Sequence, residues 1–177
     1  MKYFEPNEIL EPAYGNSLYW QRRLMSPTIL TVGDQYREEY GKTFINTPWN
    51  GIYKDSGIRN IKSFMRMNPD KDIKDFDLWR SAHPRGRALD LKPQEHSVEK
   101  VFKDILENSK FWFKLGLRRL EAIELTTSDP NISSDGWNHL DDVETGLDDL
   151  IVITYKNAYT IEQYKEIRDK IWLMKTI

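Results

Sequence analysis

From Pro84 to Leu91 the chain reads Pro-Arg-Gly-Arg-Ala-Leu-Asp-Leu, and Asp90 stands as a lone charge inside an apolar run. No other feature limits the possible folds so tightly. A carboxylate withdrawn from water is costly unless it is paired. Asp90 must therefore meet a cation, or turn outward beside an arginine such as Arg85 or Arg87. His83 precedes it by seven residues. On one helix that spacing means two turns, roughly 10 Å, too far to share an ion bound at ~2 Å. A straight strand would separate them further. Only a folded-back connection joins them, and Pro84, Arg85 and Gly86 are turn-forming residues placed to make one. Spacing alone leaves two readings open: a surface histidine beside a turn with Asp90 salt-bridged nearby, or two ligands of one metal.

Composition narrows what such a site could be. The chain has no cysteine, so a metal would have to be held by His, Asp or Glu. Its three histidines are His83, His96 and His139. A formal charge of −2 gives no basic footprint for nucleic acid. With 39% hydrophobic and 12% aromatic residues over 177 positions, a single folded domain spanning residues 1–177 is expected rather than disorder. The opening "MKYFEPNEILEP" lacks the apolar centre of a signal peptide, and no run approaches ~18 apolar residues. A soluble, monomeric product made in the cytoplasm, without membrane insertion, is the expectation.

Periodicity predicts an α+β chain with a small, mainly antiparallel sheet flanked by helices. Residues 17–25 and 26–41 read as short helices, the second with Ser26 as N-cap and Pro27 at its first position. Residues 42–46 and 87–91 read as strands, and 47–59 as a turn-rich loop. One long helix is expected from about Ser97 to Gly116, with Val98, Val101, Phe102, Ile105 and Leu106 on one face. Gly116 suits its C-terminal cap. Residues 118–125, 136–140 and 150–155 read as strands. A final helix opens on the capping box Thr160-Ile161-Glu162-Gln163 and would bury Tyr164, Ile167 and Ile171.

Ser81-x-His83-x-x-Gly86-x-Ala88-x-Asp90 occupies every fixed position of S-x-H-x-x-G-x-A-x-D. Five specified letters at roughly 5% usage each would coincide by chance on the order of 10⁻⁷ times per starting position. The pattern resembles that of the zinc D-Ala-D-Ala carboxypeptidases, a family that includes phage endolysins cutting L-Ala-D-Glu bonds and is related to the hedgehog signalling domain. Ser56, Gly57 and Arg59 resemble the S-G-x-R segment that precedes the zinc motif, and Trp137, His139 and Asp141 the W-x-H-x-D strand that follows it. The lead-in over residues 25–46 is also similar to that of phage-encoded members. The likeness covers about residues 26–141, and the closing strand and helix of 150–177 carry no such motif.

The resemblance implies a zinc peptidase of bacterial peptidoglycan, a carboxypeptidase or endopeptidase, with His83, Asp90 and His139 as metal ligands. Two histidines and one carboxylate leave a fourth position for water, the pattern of a catalytic zinc. Arg59 would stabilise the developing oxyanion or hold a substrate carboxylate; a surface ion pair with Asp55 is its plainer alternative. Ser81 and Trp137 would line the cleft, although Trp137 suits a core position equally well. Many members carry an acid three residues before the last histidine as general base, and here that position is Gly136. Asp135 shares strand parity with Trp137, His139 and Asp141 and takes that role, with Asp141 and Glu124 as alternatives. Without an acid at 136, a non-catalytic zinc domain such as a virion component is the rival expectation. His96 reads as a surface residue, and the acidic run 139–149 as a solvated loop, since it lacks the ligand alternation of a calcium-binding loop.

Overall fold

The computed structural model describes residues 4–10, 14, 16–45, 65, 69–72, 82–122, 136–154 and 157–175. Its elements run α1 (Pro6–Ile9), α2 (Leu18–Leu24), α3 (Pro27–Tyr40), β1 (Thr43–Ile45), a 3₁₀ turn (His83–Arg85), β2 (Ala88–Pro93), α4 (Val98–Glu107) and α5 (Ser109–Leu115). They continue with β3 (Arg119–Glu121), β4 (Asn138–Asp141), β5 (Ile151–Ile153), β6 (Ala158–Thr160) and α6 (Ile161–Lys175). The six strands form one sheet in the order β1-β2-β4-β3-β5-β6. Every pairing is antiparallel except β3 with β5. The fold is α+β, as the periodicity predicts. Among the described residues no helix is long and apolar enough to cross a membrane.

Register sorts the sheet into two faces. Leu89 pairs with Leu140, Leu140 with Leu120, and Leu120 with Val152, so four buried apolar side chains cross the sheet in one row. Against that face lies a core containing Ile29, Val32 and Tyr36 of α3, Val101, Phe102 and Ile105 of α4, and Tyr164 of α6. Close approach of α3 depends on Gly33, where a Cβ would stand 2.7 Å from Leu89 Cδ1. The alternate residues, Asp90 of β2, His139 and Asp141 of β4 and Arg119 of β3, point to the opposite face. The apolar row anchors the sheet, and its polar complement becomes the site.

Several boundaries differ from the sequence expectation, each for a local reason. The long helix expected over 97–116 breaks at Asn108, whose side-chain amide donates to Asp104 O at 3.0 Å and caps α4. The break turns Trp112 into the core, stacked on Tyr40 with ring centroids 6.1 Å apart. Gly116 ends α5 in the left-handed region at φ 105°, as its position suggested. Ser26 precedes α3 as expected, but its hydroxyl donates to the Asp142 carboxylate instead of capping the helix. Strand β6 was not anticipated, because its three residues, exposed at Ala158 and Thr160 and half-buried at Tyr159, are too few to carry an alternating apolar signal. The capping box of α6 forms as expected: Thr160 N–H donates to Gln163 Oε1 at 2.9 Å, and Gln163 N–H to Thr160 Oγ1 at 3.3 Å. Tyr164 is buried and Ile167 half-buried, while the Ile171 side chain lies outside the described residues.

Candidate metal centre

The site begins with the turn that the His83–Asp90 spacing demands. His83, Pro84 and Arg85 form the 3₁₀ turn, and Gly86 closes it by donating its N–H to His83 O at 3.0 Å. Gly86 sits at φ 63°, a left-handed conformation that favours glycine. A Cβ there would lie 1.8 Å from Leu24 O, so the turn is pressed against the α2–α3 junction. Ser26 N–H donates to Gly86 O at 2.9 Å and fixes that contact. Next, Arg87 binds Asp142 through Nε at 2.7 Å, holding the start of β2 to the end of β4. Strand β2 then carries Asp90 directly opposite His139.

Three donor atoms converge. His83 Nε2 lies 3.2 Å from Asp90 Oδ1, His139 Nδ1 lies 2.8 Å from the same oxygen, and the two ring nitrogens are 3.1 Å apart. Donors bound at ~2.0–2.1 Å to one tetrahedral ion stand about 3.3 Å from each other. The observed triangle is within about half an ångström of that size on every side. His83 and Asp90 are 3% and 2% exposed, and the His139 side chain 12%, so one edge of the group meets solvent. Among the described residues this is the group of histidines and acids that could hold a metal ion. Zinc fits the donor chemistry, since two imidazoles and a carboxylate without a thiolate are among its usual ligands. His83 Nε2 is the ring nitrogen that faces Asp90 and His139, while its buried Nδ1 has no hydrogen-bond partner among the described residues.

The electrostatics of the group are set by its burial and its close opposite charges. Burial pushes the Asp90 carboxyl up, but the His83 and His139 rings outweigh it and hold Asp90 well below the usual carboxylate range. Burial pulls His139 down, yet hydrogen bonds to Asp141 and Asp90 and their charges overcome this and push it up to about 10.

Asp141 stands behind His139. Its Oδ2 is 3.4 Å from His139 Nε2, and Arg119 Nε donates to its two oxygens at 2.7 and 3.0 Å. Val143 N–H adds a bond to Oδ1 at 3.1 Å. Burial raises the Asp141 carboxyl, but His139 and Arg119 more than compensate and leave it lowered. A carboxylate on the far nitrogen of a ligand histidine fixes its tautomer and ring orientation. Asp141 is fully buried with both oxygens engaged, so it orients His139 and is closed to a substrate. The expectation of a solvated acidic loop fails at its start, because Asp141 and Asp142 turn inward to arginines that lie far from them in sequence.

Other expected residues are placed unevenly. Trp137 is half-buried just before β4, on the same parity as His139. Arg59, Ser81 and Asp135 lie outside the described residues, as do Ser56, Gly57 and Glu124. His96 takes no part in the metal group. It is half-buried, edge-on to the Tyr40 ring with centroids 6.3 Å apart. One acid near the centre was missed from sequence: Glu121, whose Oε2 is 3.9 Å from His139 Nδ1. Its signal was strand parity with Arg119, readable only once β3 is known to pair with β4. Comparison of the chain with protein-family models, curated proteins and solved structures returned no match.

Proposed function

We propose that the protein is a zinc-dependent peptidase that hydrolyses peptide bonds of bacterial peptidoglycan. The observation that carries this reading is the convergence of His83 Nε2, Asp90 Oδ1 and His139 Nδ1 on one point at ligand spacing. The residues concerned hold the positions of the motif that resembles the D-Ala-D-Ala carboxypeptidase pattern. A zinc ion there would polarise a peptide carbonyl and acidify a water molecule. The chain's own groups do the rest. Asp141, held by Arg119, keeps the His139 ring oriented. Arg59 is assigned to the carbonyl oxygen as it gains charge, and Ser81 and Trp137 to the substrate cleft. A phage-encoded enzyme of lysis or of the virion is the setting proposed for this chemistry.

A second reading, a zinc domain without catalysis, is favoured by Gly136 at the position of the usual acid. One experiment separates the two. Metal-loaded protein is incubated with purified peptidoglycans of several cross-bridge types, and the soluble products are analysed by mass spectrometry. The peptidase reading expects new peptide termini that vanish on chelation and return with zinc. If zinc-loaded protein releases no product from any of them, the non-catalytic domain takes its place.

A further inference from the structure

Hydrolysis of an amide requires a group that accepts a proton from the attacking water and returns one to the leaving amine. Among the described carboxylates around the centre, most are committed elsewhere. Asp90 is a ligand. Asp141 is fully buried and shared by Arg119, His139 and Val143 N–H. Asp142 is buried and tied to Arg87 and Ser26.

Glu121 differs from these in every respect. It ends β3, and since Arg119 pairs with Asp141 and Leu120 with Leu140, the same register sets Glu121 opposite His139 on the site face. Its Oε2 approaches His139 Nδ1, the nitrogen in the ligand triangle, to 3.9 Å. Two donors of one tetrahedral ion would stand about 3.3 Å apart, so Glu121 is set back from the ligand ring. That offset suits a hydrogen bond to a molecule held beside the ligands. The side chain is 38% exposed, whereas the His139 side chain is 12% exposed, so Glu121 lies on the open edge of the group. Among the described residues no arginine or lysine pairs with it.

We propose that Glu121 is the catalytic carboxylate of this centre, taking the proton of the attacking water and delivering it to the leaving amine. This rests on the peptidase reading above. In the first half, an O–H bond of water breaks, the proton passes to a Glu121 oxygen and the water oxygen bonds to the carbonyl carbon. In the second, Glu121 gives that proton to the amide nitrogen as the C–N bond breaks. The products are a free amine and a carboxyl group, and Glu121 returns to its ionised form. No oxidant or further reactant is needed.

The test uses Glu121→Gln, which keeps the shape and removes the basic oxygen, with three readouts. Zinc affinity, from competition with a chromophoric chelator, should fall far less than in His139→Ala, because a carboxylate set back from the ligand ring and without a hydrogen bond to a ligand does not hold the ion. Turnover of peptidoglycan should fall by ~10²-fold or more. The third readout needs no turnover: binding of acetohydroxamate to the cobalt(II)-loaded protein, followed by visible absorbance. Acetohydroxamate gives up its O–H proton on chelation, and a neighbouring carboxylate that receives it strengthens binding. Glu121→Gln should weaken it by roughly tenfold or more.

The proposal is overturned if the variant binds acetohydroxamate like wild type, if it loses zinc as severely as His139→Ala, or if it keeps full turnover. In the last case the peptidase reading still stands. If wild type binds acetohydroxamate in a Glu121-dependent way yet cleaves no peptidoglycan, the proton-accepting role holds and the peptidoglycan substrate falls.

Discussion

Replacing Asp141 by Asn tests the centre where burial makes the consequences largest. The change conserves shape and removes one charge. It strips Arg119 of a partner held at 2.7 and 3.0 Å and His139 Nε2 of a carboxylate at 3.4 Å. Removing one partner of a buried ion pair costs about 3–5 kcal/mol. Arg119 keeps 22% of its side chain in solvent and can rehydrate, which brings the expected loss to about 2–3 kcal/mol. For a chain of this size that corresponds to a fall of roughly 4–12 °C in the melting midpoint of the chelated protein. Zinc affinity should fall about 10–100-fold, the usual effect of losing the carboxylate behind a ligand histidine. The pH dependence carries a sign. Asp141 is among the groups that push His139 up to about 10, so the variant's His139 releases its proton more readily. Near neutrality this eases zinc binding and offsets part of the loss, and the affinity deficit should widen as pH rises toward 10. Chelator competition at several pH values, with thermal melts of chelated and loaded protein, measures both effects. A variant with wild-type zinc affinity across that range would show that Asp141 is merely structural and that His139 is oriented by something else.

Other outcomes follow from the same geometry. His83→Ala or His139→Ala should abolish the binding of about one zinc per chain, read by metal analysis after dialysis; full occupancy in either variant would remove that residue from the ligand set. In chelated protein, the stability contributed by His139 should be complete below its ordinary value of 6.5 and lost as pH rises through about 10. Asp90 and Asp141, both lowered, should contribute above about pH 4 and lose that contribution as pH falls toward their depressed values. Urea midpoints from pH 3 to 10 would show it, and an alkaline limb unaltered by His139→Ala would contradict the assignment. Gly86→Ala should destabilise the fold by about 2 kcal/mol or more and loosen zinc binding. Its Cβ would meet Leu24 O at 1.8 Å in a left-handed backbone. An unchanged urea midpoint would mean that the turn tolerates rearrangement.

Local chemistry made much of this protein legible from its residues alone. The apolar faces of α3 and α4, Gly116 at a helix end, the Thr160–Gln163 capping box and the turn after His83 each depend on near neighbours in the chain. The α+β class was likewise readable from periodicity, whereas spacing alone left Asp90 two possible environments, and only the likeness of the motifs grouped His83, Asp90 and His139, which the structure brings together. What pairs with what was not. The residues from 136 to 142 look from sequence like a strand followed by a wet acidic loop, and nothing local says that Asp141 seeks Arg119 or that Asp142 seeks Arg87. Glu121 was one acid among many until β3 aligned beside β4 and carried it to His139. A strand specifies the alternation of its side chains, but its neighbour and register are chosen by the whole core, here the row from Leu89 through Leu140 and Leu120 to Val152. The motif therefore pointed to the group that could hold a metal, while the long-range packing of the sheet decided which carboxylate backs His139 and which stands at the open edge beside it.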